Sequence, residues 1–260
     1  MTAEHTTGTD LISPTAALRL DALALRYRKA GGVGLQVLNL VGTQAENLLE
    51  RLPDGVKHRL ESATERALGI ALEAAGQSRT RVGDAPGWLN RAATTAMGAA
   101  GGFGGLPSAL AELPVTTTVL LRAIQGIAAE HGFDPDDPEI RAECLQVFAA
   151  AGPLEHDDGA NMAFLSARVT LTGATVHGVI ARVAPRLATV LGQKLAAQAV
   201  PVVGAVAGAA TNFAYTSYYQ EMAHVHFGLR RLAIDEGLPR EALLADLRRR
   251  LAIPAGKRRE

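Results

Sequence analysis

Aromatic side chains are scarce, at 4% of 260 residues. Sheet proteins lean on aromatic and β-branched residues. An apolar share of 48% built mainly from Ala, Leu and Val therefore points to helices. Net charge is absent too, with 26 Lys and Arg against 26 Asp and Glu. A chain with no global field is not drawn onto nucleic acid. Only one cysteine is present, Cys144, so no internal disulfide can form, which fits a reducing cytoplasm. Met1 to Asp10 lacks the basic and apolar regions of a signal peptide and reads as a polar tail.

Signature motifs are equally scarce. No GxxxxGK[ST] loop occurs, and the glycines near Gly32 and Gly102 follow no strand and do not fit GxGxxG. There is no GxSxG elbow, no HExxH and no CxxC pair. Nothing in the chain signals nucleotide binding, serine hydrolysis or a zinc centre.

What is present is helical periodicity, which predicts an all-α, single multi-helix domain over residues 14–252 between a tail (1–13) and a charged end (253–260). Pro14 opens a first helix whose Leu18, Ala22 and Leu25 share a face and which Gly31, Gly32 and Gly34 break. A second helix covers about Leu35 to Arg51. A third carries Val56, Leu60, Ala63, Ala67, Ile70 and Ala74 on one stripe, with Gly76 as its C-cap. Gln77 to Gly87 reads as a linker. Pro114 starts a helix that Gly132 ends, and Asp137 caps the next, with Pro138 at its first position. Further helices are expected over Ala160 to Val183 and Pro185 to Ala199. A long helix follows, in which Tyr215, Tyr218, Met222, Val225, Leu229 and Leu232 step by three and four as a packing seam. Arg240 to Leu251 forms a basic terminal helix.

The polar candidates are thin. His224 and His226 point about 200° apart on a helix, so they cannot grip one metal and are assigned to packing or surface roles. His156, Asp157 and Asp158 share a Gly-bounded loop, which loop polarity and helix capping explain better than metal binding. Asp134, Asp136 and Asp137 resemble half a calcium loop without its glycine or distal Glu. Cys144 has no nearby Lys or His and reads as a buried thiol. No cofactor, catalytic residue or metal ligand is assigned.

Two uncharged stretches are the sharper signal, Ala92 to Ala111 and Leu195 to Gln220. The first holds Gly98, Gly101, Gly102, Gly104, Gly105 and Pro107, which predict a bend between two helices. In the second, Gly204 and Gly208 lie on one helix face and invite a close neighbour, for which the Ala92 to Ala111 region is the match in small residues. Gln198, Pro201, Thr211 and Asn212 interrupt any membrane span there. Two readings stay open: a buried hairpin in a soluble core, and a hairpin in or on a membrane. The basic residues Arg248, Arg249, Arg250, Lys257, Arg258 and Arg259 suit an anionic leaflet or a solvated helix face.

Several ordered segments resemble the EcsC family. They are GGFGGLPSALAELPV from Gly101, IAAEHGFDPDDPE from Ile127, LQVF from Leu145 and VPVVGAVAGAATNFAY from Val200. The similarity runs from about Leu48 to Leu232. The last segment is also similar to a domain of unknown function found beside some bacterial GTPases. The resemblance implies a bacterial helical protein whose namesake is encoded with an ABC transporter of the secretion type. It implies no catalytic activity. Leu106, Pro107, Pro114, Gly132, Pro201, Gly204, Gly208 and Asn212 match the family pattern, and their types suggest packing. Asn212 stands out as polar within an apolar run, with an internal hydrogen bond as its simplest role.

The expected function is a noncatalytic cytoplasmic protein, peripheral on the inner membrane. Its contacts there are lipids or a membrane transporter complex, made through Gly101, Gly102, Gly104, Gly105, Pro107, Pro201, Gly204, Gly208 and Asn212. The alternatives are a soluble carrier or sensor of an apolar or lipid ligand, and an unrecognised hydrolase or metal enzyme built on the His156 loop.

Overall fold

The first helix begins at Ser13, whose hydroxyl accepts from the Ala16 N–H at 3.1 Å. Pro14 follows at the position where a missing N–H costs nothing. The computed structural model describes residues 12–41, 54–79, 86–103, 105–150, 152, 164–166, 176–198 and 204–252. Its helices are α1 (Pro14–Val41), α2 (Asp54–Arg79), α3 (Gly87–Phe103), α4 (Gly105–Glu130), α5 (Pro138–Gln146), α6 (Val176–Gln198), α7 (Gly204–Glu236) and α8 (Arg240–Ala252), with a 3-10 turn at Val147–Ala149. No strand occurs among the described residues, and the fold is all-α.

Helix α7 is the axis. It has 33 residues, about 50 Å of helix, and every side chain from Ala214 to Ala223 is buried. The seam Tyr215, Tyr218, Met222, Val225, Leu229 and Leu232 is buried throughout. Helices α1 and α3 both run antiparallel to α7. Arg19 meets Asp235 and Lys29 meets Glu221 along α1; Arg91 meets Gln220 and Gly98 meets Gly208 along α3. Helices α4 and α6 close the other side, and α2 covers both.

Local chemistry sets several ends as expected. Asp137 Oδ1 accepts from the Glu139 N–H at 2.7 Å, with Pro138 next to it. Gly132 closes α4 at φ 80°, with the Phe133 N–H reaching the Ala128 carbonyl. Gly237, at φ 63°, ends α7 in the same way.

Other expectations are corrected. Helix α1 runs straight through Gly31, Gly32 and Gly34 instead of stopping at Ala30. Glycine weakens a helix interior by about 1 kcal/mol each, yet the helix continues to Val41. Gly76 is not a cap, because α2 continues to Arg79. Pro114 and Pro185 do not start helices; they lie inside α4 and α6. The inward face of α1 is Ala16, Leu20, Leu23 and Ala24, while Leu18, Ala22 and Leu25 are exposed. Both faces are apolar, and the small Ala16 and Ala24 allow the closer approach. In α2, Leu60 and Ala67 are buried, but Ile70 is exposed and Leu68, Ala71, Leu72 and Ala75 take the core. The expected second helix end, the helix from Ala160, and the tails fall largely outside the described residues.

Candidate functional site

The two uncharged stretches meet. A Cβ built on Gly98 of α3 would lie 2.3 Å from the Gly208 carbonyl oxygen and 2.6 Å from Asn212 Nδ2. Only a glycine at position 98 allows α3 and α7 this approach. Beside the crossing, Asn212 Nδ2 donates to the Thr94 carbonyl at 2.8 Å and to Glu112 Oε1 at 2.7 Å. Thr94 and Thr216 exchange a hydroxyl hydrogen bond at 2.7 Å.

Glu112 gathers the layer. Its Oε1 also accepts from Thr116 at 2.7 Å and from Lys194 Nζ of α6 at 3.3 Å. Lys194 is 1% exposed. Burial pushes its ammonium below the ordinary lysine range, and Glu112 opposes that shift only in part. The Tyr215 hydroxyl donates to the Val190 carbonyl at 2.8 Å. Antiparallel packing then brings Lys194 level with Thr211. Among the described residues no hydrogen-bond partner reaches Glu112 Oε2, Asn212 Oδ1 or Thr211 Oγ1. The layer ties α3, α4, α6 and α7 together.

Glu112 and Lys194 escaped the reading of the sequence. A signal was there: Glu112 directly follows the first uncharged stretch and Lys194 directly precedes the second. A charge at one end of each apolar run is thus the partner of a charge at one end of the other.

The other candidates are structural. His226 accepts at Nδ1 from Arg240 at 3.0 Å, because a guanidinium can only donate; its Nε2–H then donates to Glu143 at 2.9 Å. Burial holds His226 neutral by lowering its pKa. Burial would raise the Glu143 carboxyl, but the His226 hydrogen bond and the charges of Arg230 and Arg240 hold it below the usual range. Phe164 stacks on the ring at 5.3 Å. Cys144 is buried in α5. Asp134 and Asp137 each accept a local backbone N–H, at Asp136 and Glu139. The loop of His156, Asp157 and Asp158 lies outside the described residues. Among those described, no group of three or more His, Cys, Asp or Glu is placed to hold a metal ion.

His224 pairs with His131 at 3.2 Å. Burial, then Arg26, lowers its pKa to about 4. An unfolded histidine titrates near 6.5. Between those values the unfolded chain binds a proton that the folded chain refuses, so stability falls as pH drops from about 6.5 toward about 4. Allowing for its contact with solvent, the loss is on the order of 2 kcal/mol. Urea unfolding at pH 7 and pH 4.5 should show a smaller pH-dependent loss in His224→Gln than in the parent. An equal loss in both proteins would refute the assignment.

The expected packing glycines are placed in part. Gly101 and Gly102 are in the last turn of α3, Gly105 opens α4 with Pro107 in its first turn, and Gly204 opens α7. Gly104 and Pro201 lie outside the described residues. Above the polar layer the surface is apolar. Val206 and Phe213 share a side of α7 between its α3-facing and α1-facing stripes, and Val206 is 60% exposed. Trp88 and Leu89 of α3 and Leu18 and Leu25 of α1 are exposed as well. No acidic side chain is exposed among the described residues of α1 or α3, or of α7 before Ile234. No described helix is long and apolar enough to cross a membrane.

No curated protein and no solved structure matches the chain. The model of the EcsC protein family matches residues 78–232. That match holds the α3–α7 crossing, the Glu112–Lys194 pair and most of α7, and it covers more than half of the chain, which therefore belongs to the EcsC family.

Proposed function

We propose that this protein is noncatalytic and docks peripherally on a membrane through the face made by α1, α3 and α7. The observation that carries this is the set of exposed apolar side chains Leu18, Leu25, Trp88, Leu89, Val206 and Phe213 on these helices, where the exposed acid Asp235 is paired with Arg19 and Arg231. Scattered surface leucines are ordinary, but apolar surface gathered on one face calls for a partner. Tryptophan suits the level of the lipid headgroups. With no described helix fit to span, the contact is read as interfacial. A lone buried thiol fits a reducing compartment, so the leaflet is read as the cytoplasmic one.

Val206→Asp tests this. The side chain is largely exposed, so the substitution should change stability by no more than about 0.5 kcal/mol. Sedimentation with membranes should drop sharply, because a charge on the lipid-facing surface opposes burial. A folded Val206→Asp protein that pellets as well as the parent would refute the assignment of this face.

A further inference from the structure

Helix α8 lies beside the exposed stripe of α1. Arg250 bonds to Asp21 and to the Ala17 carbonyl, and Arg28 bonds to the Arg250 carbonyl. On α1, Leu18, Ala22, Leu25 and Lys29 follow one another at spacings of four, three and four, so they form one outward stripe. It is apolar for three positions and cationic at the fourth. The last turns of α8 add Arg249 along its flank.

The placement of charge within this strip is uneven. Glu221 is shared by Arg26 and Lys29, and Asp246 by Arg249 and Arg250. Both carboxylates are about nine-tenths buried, at 8% side-chain exposure, whereas Lys29 is 66% and Arg249 55% exposed. Glu221 and Asp246 lie inside, with Lys29 and Arg249 outside them. Arg26, Lys29, Arg249 and Arg250 pair with the three carboxylates Glu221, Asp246 and Asp21, so one positive charge is left in excess. The strip turns a positive potential outward although the chain as a whole is neutral.

We propose that the docking face selects an anionic phospholipid surface through this cationic rim beside Leu18 and Leu25; this rests on the membrane reading above. An acidic protein surface would satisfy the cations alone. A bilayer leaflet offers an anionic layer with an apolar layer directly beneath it, and the strip presents both complements side by side. Cations near an anionic leaflet gain affinity that falls off within a Debye length, so the binding is salt-sensitive.

The test is flotation of the full chain with vesicles of phosphatidylcholine alone and of phosphatidylcholine mixed with phosphatidylglycerol. Binding to the mixed vesicles should be roughly tenfold tighter or more and should weaken as salt rises. Lys29→Gln is the chosen variant, because Lys29 is 66% exposed on the stripe and Glu221 keeps Arg26 as an ion-pair partner. It should reduce the preference several-fold while the melting temperature stays put. Equal binding to both vesicle types would overturn the anionic selection and leave the membrane reading standing. Binding to neither would remove both. A lipid-free dimer that Leu18→Glu dissociates would make this face a contact between two copies and overturn the proposal.

Discussion

Gly98→Ala should lower the melting temperature by roughly 6–12 °C, one of the two largest effects expected of a single substitution in this protein. The added methyl would fall 2.3 Å from the Gly208 carbonyl oxygen and 2.8 Å from Asn212 Cβ. The first obstacle is backbone, which cannot rotate aside as a flexible side chain does. Overpacking typically costs about 1–3 kcal/mol and more where the neighbour cannot yield. For a chain of this size each kcal/mol is about 2–4 °C. The same substitution at Gly69, where an added Cβ meets nothing within 4 Å, should instead stabilise α2 by up to about 1 kcal/mol. Thermal melts of the two variants side by side decide the matter. If Gly98→Ala melts no lower than Gly69→Ala, α3 and α7 do not cross as described. Because the crossing also sets the height of Thr94 against Asn212, prising it open should release the Asn212–Thr94 hydrogen bond as well.

Lys194→Met carries the second large effect. It leaves the Glu112 carboxylate in the core without its ammonium partner. Removing one member of a buried ion pair costs about 3–5 kcal/mol, whereas replacing both by neutral groups of similar size is often close to neutral. Adding Glu112→Gln to Lys194→Met should therefore recover most of the loss. A glutamine keeps an acceptor for Asn212 and Thr116 and carries no charge. Denaturant unfolding of the parent, both singles and the double forms a complete cycle. The coupling should exceed about 2 kcal/mol, the range found for residues in one network. Simple additivity of the two singles would show that Glu112 and Lys194 do not share this layer.

Much of the fold was legible because much of it is local. Helix content follows from a period of three to four, and the seam Tyr215 to Leu232 needed no knowledge of its partners, since α7 buries almost every side it has. The Asp137–Pro138 start and the Gly132 end are decided by atoms a few residues apart. Asn212 stood out as polar among small apolar residues, and it does hold a buried junction. Legibility failed where two local answers were equally good. In α1 the stripe Leu18–Ala22–Leu25 and the stripe Ala16–Leu20–Leu23 are both apolar at helical spacing, and only the presence of α7 and α8 separates them. The glycines at 31 and 32 were given the meaning that they have in an isolated helix, whereas α1 continues through them to Val41.

Residue order was enough to specify a bundle of helices, where several of those helices begin and end, and two uncharged, small-residue stretches that must find close neighbours. Those are consequences of backbone chemistry and spacing within a few residues. The tertiary structure alone decided that Gly98 sits against Gly208, 110 positions away. It alone decided that Glu112 and Lys194, 82 positions apart, neutralise each other in the core. It also decided which leucines face solvent and that Glu221 and Asp246 lie beneath Lys29 and Arg249. No local rule can supply these. Which helix face is buried, and which distant charge becomes a partner, is set by the least costly way of packing all the helices at once.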